Sequence, residues 1–177
     1  MNVKLKSYLN VGNKIVEVDL YGYSSRSIPG LEINGLGKRG KLIKEKINFI
    51  LNRYFSTKNS LKKYVISIES ILPEEKLKIE SIDLELPIFL IYLSLLEVLP
   101  VKNLDHCWSL GRLNVDFEVT SPFLNSVLDL IESSTILKDK TLIAPRENYT
   151  YPGRFIAWED ILKGIYKNNG LPKNDSG

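Results

Sequence analysis

Apolar and polar positions alternate at the start of the chain. Val3-Lys4-Leu5-Lys6-Ser7-Tyr8-Leu9 and Ile15-Val16-Glu17-Val18-Asp19-Leu20 each repeat with period two, with the turn pair Gly12-Asn13 between them. That period predicts half-buried β-strands, and Ile28 to Ile33 adds a third between punctuating Gly, Pro, Asn and Ser residues. From Lys38 to Phe55 the spacing becomes helical. Leu42, Ile43, Ile47, Ile50, Leu51 and Tyr54 fall on the apolar side, and Lys38, Lys41, Lys44, Glu45, Lys46 and Asn48 on the other. Tyr64 to Ile68 predicts a short strand. A helix follows from about Ile82 to Leu99, capped by Ser81 or Asp83, with Pro87 near its first turn and Pro100 ending it. This helix is apolar almost all round, which predicts that it is the central buried element.

The second half continues in the same manner. His106 to Leu113 and Val115 to Val119 read as paired strands, and Phe123 to Ile131 as a helix with Ser121 as N-cap and Pro122 at its first position. Thr141 to Ala144 and Phe155 to Ala157 are strands, and Trp158 to Tyr166 is a closing helix. The order is βββαβα followed by ββαβα. It predicts one α+β (mixed α/β) domain over residues 1–167, with a mixed sheet packed on helices. A polar, Gly- and Pro-containing tail over 168–177 is expected to fray.

Composition narrows the class. The chain has 177 residues, 44% hydrophobic and 25% charged, which fits a folded globular domain rather than a disordered one. The net charge of +3 permits an anionic partner without demanding one. One cysteine, Cys107, cannot form an internal disulfide, and its apolar neighbours make it a buried thiol. The first residues carry no apolar signal core, and the longest charge-free apolar run, Leu86 to Leu96, is shorter than the roughly 20 residues a membrane span needs. These features predict a cytoplasmic protein with no membrane contact.

Val16-Glu17-Val18-Asp19-Leu20, Ile28-Pro29-Gly30-Leu31-Glu32-Ile33 and Gly35-Leu36-Gly37 follow one another along the chain. In that order they resemble the VEVD, GLP and IVGLP segments of the N-terminal domain of the ComM family of magnesium-chelatase-like ATPases. Glu45 to Leu51 resembles its ERVRAAL, and Leu84-Glu85-Leu86-Pro87-Ile88-Phe89-Leu90 its FDLPIAL. Ser109-Leu110-Gly111-Arg112-Leu113 is similar to FLGEL, and Thr141 to Asn148 to LIVP-x-x-N. The similarity runs from about Val16 to Ile165. It implies a fold like that of the Lon peptidase domain, which holds a Ser–Lys dyad. Here the family's GS step aligns with Ser81-Ile82, so isoleucine falls where the serine would stand, and the lysine position falls near Asn125 or Ser126, neither of which has an amine. Ser81 without a desolvated lysine to take its proton is a helix cap rather than a nucleophile. The family's ATPase part is missing, because the chain has no G-x-x-x-x-G-K-[ST] loop.

Other candidate chemistry is sparse. Gly35, Gly37 and Gly40 spell G-x-G-x-x-G, but no acidic residue stands about 20 positions on, where a dinucleotide site requires one. No cofactor is therefore expected. His106, the one histidine, is expected in a strand, and without a second histidine or a cysteine cluster no metal site is expected. Glu69, Glu74, Glu75, Glu80, Asp83 and Glu85, interleaved with Lys76 and Lys78, read as a solvated surface. The basic run Lys38, Arg39, Lys41 and Lys44 is the candidate contact site. These readings point to a non-enzymatic protein-interaction or assembly module, linked through the resemblance to DNA recombination or transformation. Its expected partner is an AAA+ ATPase or another copy of itself. The alternatives are a single-stranded nucleic-acid-binding module using helix 38–46 and, third, a cryptic serine hydrolase centred on Ser81.

Overall fold

The computed structural model describes residues 1–55, 61–73, 75–77, 81–131, 139–147 and 149–169. The period-two segments become β1 (Asn2–Val11) and β2 (Lys14–Ser25), a long antiparallel hairpin in which Leu5 faces Leu20 and Lys6 faces Asp19. Gly12 and Asn13 both adopt positive φ, as a tight two-residue turn requires. β3 (Gly30–Asn34) leads into α1 (Lys38–Tyr54), and the chain returns as β4 (Lys63–Ser70), parallel to β3 and antiparallel to β2. A 3-10 turn (Ser81–Leu84) then opens α2 (Glu85–Leu95).

β5 (Cys107–Ser109), β8 (Thr141–Ala144) and β9 (Phe155–Ala157) complete a seven-stranded mixed sheet of order β3-β4-β2-β1-β5-β8-β9. β6 (Arg112–Leu113) and β7 (Val119–Thr120) form a separate two-stranded ribbon. α3 (Leu124–Ile131) and α4 (Trp158–Asn169) lie in the second half of the chain. The α+β class with a mixed sheet is thus as expected, and no helix among the described residues is long and apolar enough to cross a membrane.

All eleven residues of α2 are buried. A fully buried Leu, Ile or Phe contributes about 1.5–3 kcal/mol, so this helix is the main source of stabilising burial. Gly22 on β2 makes the close packing possible, since a Cβ there would lie 2.7 Å from Ile91 Cγ2. Leu5, Val18, Leu20, Ile66 and Ile68 supply the facing rows of the sheet. Tyr64 meets Tyr92 edge to face at 5.3 Å. Burial, and then the neighbouring Tyr64, push the Tyr92 phenol up to about 12 from its ordinary 10. The fold thus favours the neutral phenol. Its contribution is fully present below pH 10 and is lost as pH rises from 10 towards about 12. Urea midpoints across this range should fall with rising pH, and Tyr92→Phe should flatten the decline.

Several boundaries differ from the sequence reading. α2 starts at Glu85 rather than near Ile82, and neither Ser81 nor Asp83 caps it, because residues 81–84 wind as a 3-10 turn. It ends at Leu95 rather than Leu99. Glu97 takes φ 60, its N–H bonds to Ser94 O, and Val98 N–H bonds to Leu93 O, so a left-handed cap stops the helix before Pro100. The expected strand 106–113 is split. After Ser109 the chain leaves the large sheet, and Gly111 exchanges backbone hydrogen bonds with Asp83 and Leu86. Residues 115–118 form a turn, held by the Asn114 side chain accepting the N–H groups of Asp116 and Glu118. Ser121 does not cap α3, because its hydroxyl donates to Leu110 O. Asn168 and Asn169 belong to α4, so the expected tail begins two residues late, and its remainder, 170–177, lies outside the described residues.

Candidate functional site

The basic candidates sit at the start of α1. Lys38 and Lys41 are exposed, while Arg39 and Lys44 are half-buried. Lys44 adds to the positive field that helps hold the Glu32 carboxyl below its ordinary range, a shift caused first by the Lys63 ammonium 2.6 Å away. Lys46, expected on the same solvated side, is withdrawn from it. Its ammonium lies 2.6 Å from Glu85 Oε1 and donates to Leu113 O at 2.9 Å. The basic face is therefore narrower than the sequence reading made it.

Leu42 departs from that reading in the opposite direction. Placed on the apolar side by its spacing, it is 57% exposed, and Phe49, one heptad further on, is 48% exposed. Seven residues make almost two full turns, so the two side chains share one outer face. Gly40, Ile43, Ile47, Ile50 and Leu51 already fill the inner side of the helix. The guanidinium of Arg53 lies 6.0 Å from the Phe49 ring centroid and 5.6 Å from that of Tyr54. The outer face of α1 thus combines two exposed apolar side chains with Lys38, Lys41 and Arg53.

The glycines before α1 have a packing role. Gly35 (φ 97) and Gly37 (φ 54) flank the fully buried Leu36, and a Cβ on Gly35 would collide with the carbonyl oxygen of Ile68. On Gly40 a Cβ would lie 3.0 Å from Ile33 O. Close approach of helix and strand accounts for the G-x-G-x-x-G spelling without a ligand.

The acidic run is not a uniform solvated surface. Glu69 and Glu75 are exposed, and Glu74 and Glu80 lie outside the described residues. Asp83 and Glu85 are only 5% and 3% exposed. Asp83 Oδ1 accepts Arg112 Nε at 2.7 Å, and Glu85 Oε2 accepts the Leu113 N–H at 2.8 Å. These carboxylates clamp α1, the 3-10 turn and the β6 segment together at the N-terminal end of α2. Their partner Arg112 also lies over the Phe123 ring at 5.1 Å. Sequence spacing gave no signal for this clamp, because its members come from four separate elements.

Ser81 is fully buried. Asn125 is exposed, and Ser126 is half-buried with its hydroxyl donating to Phe123 O at 2.8 Å. His106 is not in a strand. It is exposed in the turn before β5, where its carbonyl accepts the Thr141 N–H. Cys107 is a buried free thiol, its pKa raised by burial. Among the described residues no group of three or more His, Cys, Asp or Glu side chains is placed to hold a metal ion.

A second polar surface lies opposite the helices. The open side of the β1-β2-β4 sheet presents Lys4, Lys6, Glu17, Asp19, Tyr21 and Glu69. Lys6 is gripped by Glu17 and by Asp19, the latter at 2.9 Å. The Tyr21 hydroxyl donates to Glu69 at 3.1 Å. Shallow clefts of about 650 and 460 Å³ on this side share Asp19 and Glu69, and Asp105 lines the smaller one.

No protein-family model matches the chain, and no curated protein matches it.

Proposed function

We propose that this chain is a non-catalytic assembly module, akin to the ComM N-terminal domain with its Lon-like fold, and that it works by binding a second copy of itself. The observation that carries the reading is the outer face of α1. It leaves Leu42 and Phe49 in water within a helix whose inner side is already satisfied. Exposed apolar side chains rimmed by charge are the mark of a contact surface.

Charge complementarity favours a second copy as the occupant. On α1, Lys38, Arg39, Lys41 and Lys44 outnumber Glu45, and Lys46 is paired with Glu85. On the open side of the sheet, Glu17, Asp19, Glu69 and Asp105 outnumber Lys4 and Lys6, and Tyr21 and Tyr23 offer apolar area. The two surfaces lie on opposite sides of the molecule, so their contact is head-to-tail and propagates into a ring or a filament. The non-catalytic part of the reading is supported by the state of the local carboxylates. Asp83 and Glu85 are both engaged by cations, and the Ser126 hydroxyl is already donating.

Light scattering at low salt should give a mass well above the 20.2 kDa chain. Leu42→Asp with Phe49→Asp should return the protein to monomer with an unchanged circular dichroism spectrum. A monomeric wild type at all concentrations would refute self-assembly. Salt-sensitive binding of single-stranded DNA, lost on changing Lys38, Lys41 and Lys44 to Glu, would make this face a nucleic-acid contact instead.

A further inference from the structure

Exposed apolar side chains that are far apart in sequence converge on one end of the main sheet. Lys63 pairs with Ser25 of β2 on one side and with Gly30 of β3 on the other. Those partners stand two strand spacings apart, about 10 Å, and residues 26–29 cross that distance around the start of β4. Ile28 lies two positions before Gly30, and Leu61 two positions before Lys63. The Gly30 N–H bonds to Lys62 O, which holds the two incoming segments together. Ile28 and Leu61 therefore emerge side by side, 85% and 81% exposed. At the same end the Ser24 N–H bonds to Met1 O and Asn2 faces Tyr23, so the exposed side chains of Met1 and Tyr23 border the pair.

The charge at this end is net positive. Arg26 and Lys62 are exposed beside Ile28 and Leu61, and the segments 21–30 and 61–68 contain no Asp or Glu. On β3 the Glu32 carboxylate is already matched by the Lys63 ammonium at 2.6 Å. The result is an apolar tip within a cationic rim. Side chains as exposed as Ile28 and Leu61 project from the surface rather than line a groove. A folded partner would have to supply a pocket for each one. A lipid leaflet receives projecting apolar side chains without a preformed pocket, takes aromatic rings at headgroup level and draws cations to its anionic headgroups.

We propose that this end of the sheet rests on a membrane surface containing anionic lipid, with Ile28 and Leu61 entering the boundary between headgroups and acyl chains and with Arg26 and Lys62 meeting the phosphates. The sequence expectation of no membrane contact rested on the lack of a signal core and of a spanning segment, and this contact requires neither. The proposal stands apart from self-assembly, since it uses no residue of α1 and no carboxylate of the open sheet face.

The test is co-sedimentation of the full chain with vesicles, either pure phosphatidylcholine or equimolar phosphatidylcholine and phosphatidylglycerol. Binding to the mixed vesicles should weaken with added salt, and pure phosphatidylcholine should bind about tenfold less or worse. Ile28→Ser and Leu61→Ser should each weaken binding to mixed vesicles by about tenfold. Arg26→Gln with Lys62→Gln should weaken it by about twentyfold in total. All four positions are exposed, so circular dichroism spectra should match the wild type. Insertion is read separately. Ile28→Trp should shift its emission to the blue on mixed vesicles and be quenched by brominated acyl chains, while Trp108 and Trp158, both buried, should not respond. Unchanged binding in the Ile28 and Leu61 variants would make this a polyanion contact and overturn the proposal. Failure to bind mixed vesicles, or an Ile28→Trp emission indifferent to brominated lipid, would overturn it equally.

Discussion

Lys46→Met is expected to destabilise the fold by about 3–5 kcal/mol, the cost of leaving a buried charge without its partner. Glu85 is 3% exposed, and its carboxylate is balanced by the Lys46 ammonium at 2.6 Å. Removing the lysine also frees Leu113 O from one of its donors. The double variant Lys46→Met/Glu85→Leu should recover much of the loss, because the stranded charge goes with it, although the Leu113 N–H then lacks its acceptor. Lys38→Met and Lys41→Met, on the same helix but exposed, should stay within about 0.5 kcal/mol of wild type. Urea unfolding of the four variants measures all of this. Equal small effects at positions 38, 41 and 46 would show that the clamp contributes nothing to stability.

Phe117→Ala is expected to cost a similar amount, about 3–5 kcal/mol, typical of a large ring removed from a core. Phe117 is buried in the turn between β6 and β7, where its ring joins parts distant in sequence. It stacks on Tyr54 at 5.4 Å and meets Phe55, Phe89 and Trp158 edge-on at 5.4, 5.7 and 5.8 Å. These contacts connect the end of α1, the central α2 and the start of α4. Phe117 also adopts φ 65, which a side chain rarely takes without compensation. Phe117→Leu keeps part of the burial and should cost less than the alanine change. Unfolding midpoints that fail to separate the two variants would mean that the ring contacts add nothing beyond turn geometry.

The features that the sequence revealed are those carried by local period. The β1-β2 hairpin follows from strict alternation around Gly12-Asn13, and α2 from a run in which every side chain after Glu85 is apolar apart from Tyr92 and Ser94. The strands 141–144 and 155–157 appear at their expected bounds, because proline or a change of period ends each one. Tertiary competition hid the rest. The segment after Ser109 alternates like a continuing strand, but Gly111 pairs with the 81–86 segment, and the Asn114 side chain curls the following residues into a turn. Leu42 fits the helical apolar spacing and still faces water, since spacing locates a side without saying how wide the covered stripe is.

The candidate site was legible only in part. Lys38 and Lys41 stand out in the sequence and are exposed as expected, whereas Lys46 is indistinguishable from them until Glu85, 39 residues away, is seen beside it. The acidic run was misjudged for the same reason. Asp83 and Glu85 look like surface residues by type, and only their cationic partners make burial tolerable.

The central claim is that the α1 face of one copy docks on the open sheet face of the next, and a charge-reversal mixing experiment tests it most directly. One variant carries Lys38→Glu and Lys41→Glu, the other Glu69→Lys and Asp105→Lys. Each alone brings like charges together at every contact and should be monomeric by light scattering at low salt. Their equimolar mixture restores opposite charges across both contacts and should regain the wild-type mass. If each variant alone assembles like the wild type, or if the mixture stays monomeric while the wild type assembles, the proposed contact is wrong.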